Sequence, residues 1–455
     1  MNPKRGICML RIPRLSQMDE NLTARFVLPV VLENCFAVFI NMAISGVIST
    51  ISASALAAIG MANSIMNVIT ALFSMITTGS SVLIARQVGA EEYEDAAESI
   101  EQSSFMALSV SSVITVFCVL LAVPLLRLLM PTAEPGIFGE AVRYFRIVML
   151  TLPLSILYGV LGGACRGLGN SRVTLFTTIA VNVFQLFFAW LCIDALGLNE
   201  IGAGLYMGVG RFVGAGVLLY VLLRERHRFT LKLRNILLPK LAVCRRIVRI
   251  GLPMTFESLF VQFGYMLANS MCIALGNFES AVFQIVNTVY GFAGVTQGIF
   301  STVALSSVGH ILGRKDYKNV KAAGFTLWII GVLISSSMAL VGIIFGKQIC
   351  GIYSSDPTTI EACLRILWIV LPLNIVANSV NTIDPPLRAG GDSAYVMIIA
   401  LMTVWVFRLP ITWLLCFKLN MGALGIFLGN TIGLTFRTLA GLARFSTDKW
   451  MYKKV

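Results

Sequence analysis

Histidine is almost absent from this chain of 455 residues: His227 and His310 are the only two, and both fall at loop edges. An imidazole-based metal centre or catalytic triad is thereby excluded. Charge is scarce as well. Asp, Glu, Lys and Arg together make up 13% of the residues, where a soluble domain carries about 25%. The ten cysteines (Cys8, Cys35, Cys118, Cys165, Cys192, Cys244, Cys272, Cys350, Cys363 and Cys416) form no C-x-x-C pair. Most sit in apolar runs, where a free thiol packs as a small hydrophobe, so neither a disulfide framework nor a metal site is expected. No G-x-x-x-x-G-K-[ST] loop is present, which excludes an ATP-driven pump within the chain. Neither H-E-x-x-H nor G-x-S-x-G occurs, so no hydrolase is indicated and the chain is not expected to be an enzyme. A cleavable leader is not expected either, because Met1 to Asn21 is polar and basic and the apolar run behind it is too long for a signal core.

What the chain has in abundance is apolar length. Hydrophobic residues make up 57% of it, in runs that recur from Val27 to Ala443. Each run is about 20 residues, enough to cross a hydrocarbon layer of about 30 Å. In lipid every backbone polar group must be satisfied internally, and the runs lack strand alternation, so they are read as helices. The predicted spans are 24–48, 54–85, 98–126, 138–165, 171–193, 201–224, 246–275, 279–306, 318–345, 359–386, 393–417 and 421–445. The expected fold is an all-α integral membrane protein of twelve transmembrane helices in two pseudo-symmetric six-helix bundles.

The net charge of +13 is carried by short loops and tails, as in Arg86, Arg166, Arg172, Arg314, Lys315, Lys318, Lys321, Arg388 and Lys449. The alternate loops hold few bases and carry Asp194, Glu200, Glu279 and Asp356. Such asymmetry orients helices and is no nucleic-acid face; it places both termini in the cytoplasm. The longest link, Arg224 to Arg249, has nine basic residues and one acid, Glu225, and lies near the midpoint. The expected organisation is therefore a tail (1–20), a first bundle (21–225), a basic linker (226–243), a second bundle (244–447) and a tail (448–455).

The halves repeat. Arg25-Phe-Val-Leu-Pro29 through Glu33 returns as Arg249-Ile-Gly-Leu-Pro253 through Glu257, displaced by 224 residues, and Gly89 through Tyr93 returns as Gly313 through Tyr317 at the same displacement. Leu152-Pro153 returns as Leu371-Pro372, displaced by 219, and Arg166-Gly-Leu-Gly-Asn-Ser171 as Arg388-Ala-Gly-Gly-Asp-Ser393, displaced by 222. Six helices per half give corresponding helices the same orientation, a parallel repeat about an axis along the membrane normal. Two such bundles can rock against each other, which is the geometry of alternating access.

An ionisable residue inside an apolar run is costly, so each is a candidate for function. Glu33 and Glu257 each follow a proline, Pro29 and Pro253, by four residues and share its helical face. Proline removes a donor and frees a carbonyl. A carboxylate beside such a turn suits a proton or a monovalent cation such as Na+; the alternative is an acid that caps a helix or pairs with a nearby base. Asp384, before Pro385-Pro386, and Arg408, before Pro410, read as structural or gating residues, the arginine paired with an acid or a free carbonyl. Asn41, Asn182, Gln185, Gln262, Gln284, Asn287, Asn374, Asn378 and Asn381 are candidates to line a wet central cavity, the alternative for each being a helix–helix hydrogen bond.

At this point the residues resemble the multidrug and toxic compound extrusion (MATE) family of the MOP superfamily. The resemblance spans about 20–450 and rests on Ser54-Ala-Leu-Ala-Ala-Ile-Gly60, on Thr78-Gly-Ser-Ser through Gly89-Ala90, on the paired turns at Arg166 and Leu387-Arg388, on Arg408-Leu-Pro410 and on Arg444-Phe through Trp450. Glu257 followed by Gln262 is similar to an E-x-x-x-x-Q branch. The resemblance implies a secondary antiporter that exports organic, often cationic, small molecules in exchange for Na+ or H+ by a rocker switch. It implies no cofactor and no nucleic acid, a monomer in the lipid bilayer, and a multi-pass place in a bacterial cytoplasmic membrane. Two positions depart from the family: where many members carry an aspartate in the first span this chain has Ile44, and the aspartate position of the tenth span is Ala377. A flippase for lipid-linked precursors or polysaccharide and a non-transporting receptor or scaffold are the alternatives.

Overall fold

The computed structural model describes residues 53–129, 135–224, 231–354, 356–377 and 379–451, together with seven isolated positions between 33 and 47. Among the described residues every regular element is a helix. The first half contains α1 (Ala53–Gly89), α2 (Tyr93–Leu120), the short α3 (Ala122–Leu129), α4 (Pro135–Gly167), α5 (Ser171–Ala189, continued by a π-helical turn Trp190–Ala195) and α6 (Asn199–Arg224). The second contains α7 (Leu241–Ala274), α8 (Asn277–Gly313), α9 (Tyr317–Ile344), the short α10 (Gly346–Tyr353), α11 (Pro357–Ala377), α12 (Val380–Ala389), α13 (Ser393–Met402), α14 (Leu409–Trp413, flanked by π-helical turns) and α15 (Gly422–Ser446). Eight of the helical stretches are long and apolar enough to cross a membrane. They carry large exposed side chains, among them Val113, Phe117, Leu120, Leu150, Phe176 and Phe212. Such a surface is tolerable in hydrocarbon and not in water.

Local chemistry sets the ends of the helices. The repeated turns after Arg166 and Arg388 are closed by Gly169 and Gly391, both at φ +82°. That left-handed conformation lets the chain reverse at a helix end and strains any residue with a Cβ. The same hydrogen bonds close both turns: Asn170 N donates to Cys165 O and Asp392 N to Leu387 O, each at 2.9 Å. Asp356 caps α11, accepting from Thr358 N at 3.2 Å and Thr359 N at 3.1 Å, and Pro357 fills the first helical position, where no amide is needed.

Two of the predicted spans are divided, 98–126 into α2 and α3 at Leu121 and 359–386 before Val380. The run 359–386 divides into α11 and α12, whereas its counterpart α4 passes through Pro153 without interruption. The displacement grows from 219 at the prolines to 222 at the arginines, so the second half carries three extra residues there. Three residues are not a whole turn of 3.6, and a break lets both flanking segments keep their buried faces.

The halves meet through α1, which packs along α7 and α8. Gly89 and Gly313 lie at the crossing of α1 with α8: a Cβ on Gly89 would run into the backbone of His310, and one on Gly313 into Arg86 O and Gly89 Cα. Residues 86 and 310 are displaced by 224, as are 89 and 313, so a pseudo-twofold axis passes through this contact. Ser74 Oγ and Thr255 Oγ1 at 3.3 Å, and Ser306 Oγ donating to Arg166 O at 2.8 Å, add polar ties between the halves. The linker is seated on α2, where Glu101 accepts from Lys232 N at 2.6 Å and Gln102 accepts from Lys240 N at 2.7 Å.

Candidate functional site

Each half encloses a cavity beside its glutamate. In the second half it measures about 360 Å³ and is lined by Glu257, Tyr265, Asn381, Asp384, Arg388 and Arg437, among others. Glu257 sits one turn after Pro253 in an unbroken α7. Its Oε1 accepts from Arg388 Nη2 at 2.7 Å and also from Arg437 Nη2. Arg437 bridges onward to Asp384 Oδ2, through Nε at 2.8 Å and Nη2 at 2.5 Å. Glu257, Asp384 and Arg437 are all buried, and Glu257 Oε2 has no hydrogen-bond partner. Two acids and two bases from α7, α12 and α15 thus neutralise one another inside the bundle.

In the first half the cavity measures about 250 Å³ and is lined by Glu33, Tyr158, Arg166, Thr178, Asn182 and Arg211, among others. Glu33 accepts from the hydroxyls of Thr178 at 3.0 Å and Thr174 at 3.2 Å, and Arg166 Nη1 lies 3.6 Å from Glu33 Oε1. The Tyr158 hydroxyl shares a hydrogen bond of 3.2 Å with Thr178. This carboxylate is held by exchangeable hydroxyls and one looser base, where Glu257 is clamped by two arginines.

The structure gathers some of the residues singled out from sequence and disperses others. Asn182 and Gln185 line the first cavity and Asn381 the second. Gln262, Gln284 and Asn287 are exposed and line neither; Gln262 falls five residues after Glu257 and so turns to a different face of α7. Arg408 does not meet an acid: its guanidinium lies 4.1 Å from the Tyr265 ring centre, over the π face, and its Nε has no partner. Asp384 serves the ion network from the middle of α12. Asn41, Asn378, Pro29 and the side chain of Asn374 lie outside the described residues. Ile44 and Ala377 are both buried. The sequence reading missed Arg388 and Arg166 as partners of the glutamates, although both pairs are displaced by nearly the same interval. It also passed over Arg211 and Arg437, which stand inside apolar runs.

A helical body with eight stretches, among the described residues, long and apolar enough to cross a membrane and with a charged cavity in each half has the build of a membrane transporter. The family profile MatE matches residues 29–191 and again 253–414, and the chain belongs to that family. A probable multidrug resistance protein NorM of Thermotoga maritima is 24% identical over 95% of this chain and 93% of its own length. The uncharacterized transporter YisQ of Bacillus subtilis is 22% identical over 93% and 94%. Among solved structures, a multidrug resistance MATE family transporter in an outward-facing conformation superposes with a TM-score of 0.88 at 19% identity, covering 95% of this chain and 96% of that one. A MOP superfamily transporter of Pyrococcus furiosus, described as having a binding pocket of reversed polarity, superposes with a TM-score of 0.86 at 20% identity, covering 94% and 96%.

Proposed function

We propose that the protein exports organic, often cationic, compounds from a bacterial cell in exchange for Na+ or H+. In this reading the bundles 21–225 and 244–447, joined by the linker 226–243, rock about their shared contact in the cytoplasmic membrane. The protein acts as a monomer with both termini in the cytoplasm. Family membership and the multidrug resistance proteins among the relatives support export. The observation that carries the coupling is the state of Glu33, a carboxylate at the wall of a cavity, bonded to two threonine hydroxyls and 3.6 Å from one arginine. Such a group exchanges a proton or a sodium ion without dismantling an ion network. Glu257 is its repeat-related counterpart, but its two arginines make it the weaker exchanger and the stronger clamp.

The test is efflux of rhodamine 6G, a fluorescent organic cation, from proteoliposomes in which sodium and proton gradients are imposed separately. One gradient is expected to accelerate efflux, and Glu33→Gln to abolish the acceleration. Efflux indifferent to both gradients would refute antiport; coupling that survives Glu33→Gln would refute the assignment of the site.

A further inference from the structure

The two cavities follow one plan and differ in charge. Each takes the glutamate that follows a proline by four residues and an arginine from the repeated turn, Glu33 with Arg166 and Glu257 with Arg388. Each takes a second arginine from the last helix of its half, Arg211 on α6 and Arg437 on α15. These last two stand about one turn out of register, because Gly202 and Gly425, which pack on Cys192 and Cys416, place Leu434 opposite Arg211. The displacement of 222 fixed by the repeated turns puts Gly162 where the second half has Asp384.

That single difference leaves the first cavity unbalanced. Arg437 is held between Glu257 and Asp384. Arg211 lies over the Tyr158 ring at 5.4 Å, its buried Nε has no hydrogen-bond partner, and among the described residues no carboxylate pairs with it. The acids outside the described residues are Asp19, Glu20, Glu134 and Glu225, none of which lies within an apolar run. The second cavity sets two carboxylates against two arginines; the first sets one against two. A cation left uncompensated inside a bundle is expensive, so the excess calls for a partner. There is room for one. A Cβ at Gly162 would meet Arg166 Nη1 at 3.7 Å and Leu218 Cδ1 at 3.9 Å, which is ordinary contact, with the cavity open beyond it.

We propose that the first cavity takes a carboxylate of the transported compound, seated between Arg166 and Arg211 in the place that Asp384 fills in the second half. The ligand class is an organic zwitterion, its positive group on Glu33 and its negative group on the arginines. The coupling cation then competes for Glu33 alone. This deepens the exporter reading and rests on it only for the word transported.

The probes are rhodamine 19, which carries a free carboxylate, and rhodamine 6G, the ethyl ester of the same dye. Binding to the purified full chain in nanodiscs is measured by fluorescence polarisation. The protein is expected to bind the acid about tenfold or more tighter than the ester, the range that charge-assisted hydrogen bonds supply. Arg211→Gln removes the cation and Gly162→Asp supplies the missing carboxylate from within; either is expected to bring the acid-to-ester ratio near one. The two variants are sterically opposite, so misfolding of one leaves the other to decide. A ratio near one in the unmodified protein, or a ratio that survives either folded variant, overturns the proposal. Efflux of both dyes without the preference sinks the carboxylate site and leaves export standing; the preference in binding without efflux does the reverse.

Discussion

Arg437 holds two buried carboxylates from two other helices, so its loss removes more than one contact. Arg437→Met leaves Glu257 and Asp384 facing Arg388 alone. Breaking a buried pair in this way costs about 3–5 kcal/mol, and a clear fall in thermal unfolding temperature in detergent is expected; an unchanged temperature would show that the network contributes nothing. Glu33→Gln, beside hydroxyls that can donate to an amide oxygen and 3.6 Å from Arg166, is expected to lower the unfolding temperature less than Arg437→Met. Outside the membrane spans, the Thr358 and Thr359 side chains hold the Asp356 carboxyl down at about 2. The cap therefore contributes above the ordinary carboxylate range, near 4, and its contribution is lost as pH falls through about 2. Thr359→Val is expected to move that loss to higher pH, read as earlier fraying at the start of α11 in hydrogen exchange. The glutamates were legible from sequence because a proline and a repeat displacement marked them twice. The arginines were not, because Arg166 and Arg388 stood in loops and read as orientation signals. Arg211 and Arg437 were open to the same argument that found the glutamates, an ionisable group in an apolar run.

The break between α11 and α12 shows what a sequence repeat conceals. The run 359–386 reads as one helix although Asn378-Ser-Val-Asn-Thr-Ile-Asp384 interrupts its apolar character, and the change of displacement from 219 to 222 announces three extra residues. The crossing of α1 and α8 was equally marked and unread, since Gly89 and Gly313 were matched as a repeat and not as a contact. Their value lies in the missing Cβ. Gly313→Val would place atoms inside the backbone of α1, so the two helix ends must separate. The variant is expected to fold, because each half keeps its own core, but to shift the population toward a state in which that end is open. Faster labelling of a cysteine introduced at Ser306, which donates to Arg166 O across the contact, is the measurement; unchanged labelling would show that the crossing is not a closure.

At the scale of the whole molecule, two bundles share a glycine crossing on a pseudo-twofold axis and enclose one cavity apiece. The all-helical, two-half plan was legible in apolar length and displacement, because those quantities are set by the bilayer and by duplication. The polarity of the cavities was not read, because Arg211 and Arg437 were passed over and the contrast of Gly162 with Asp384 shows only when the halves are aligned at the displacement of 222. The account stands on motion about the crossing. Its most direct test places spin labels at Asp95→Cys and Asn319→Cys, repeat-related and exposed beside the ends of α1 and α8, in a background whose own cysteines are replaced. Pulsed electron resonance in nanodiscs is then used to measure the distance between them. Two distance populations are expected, with their ratio shifted by rhodamine 6G and by the coupling cation in opposite directions; a single distance unmoved by either would contradict a transporter that rocks.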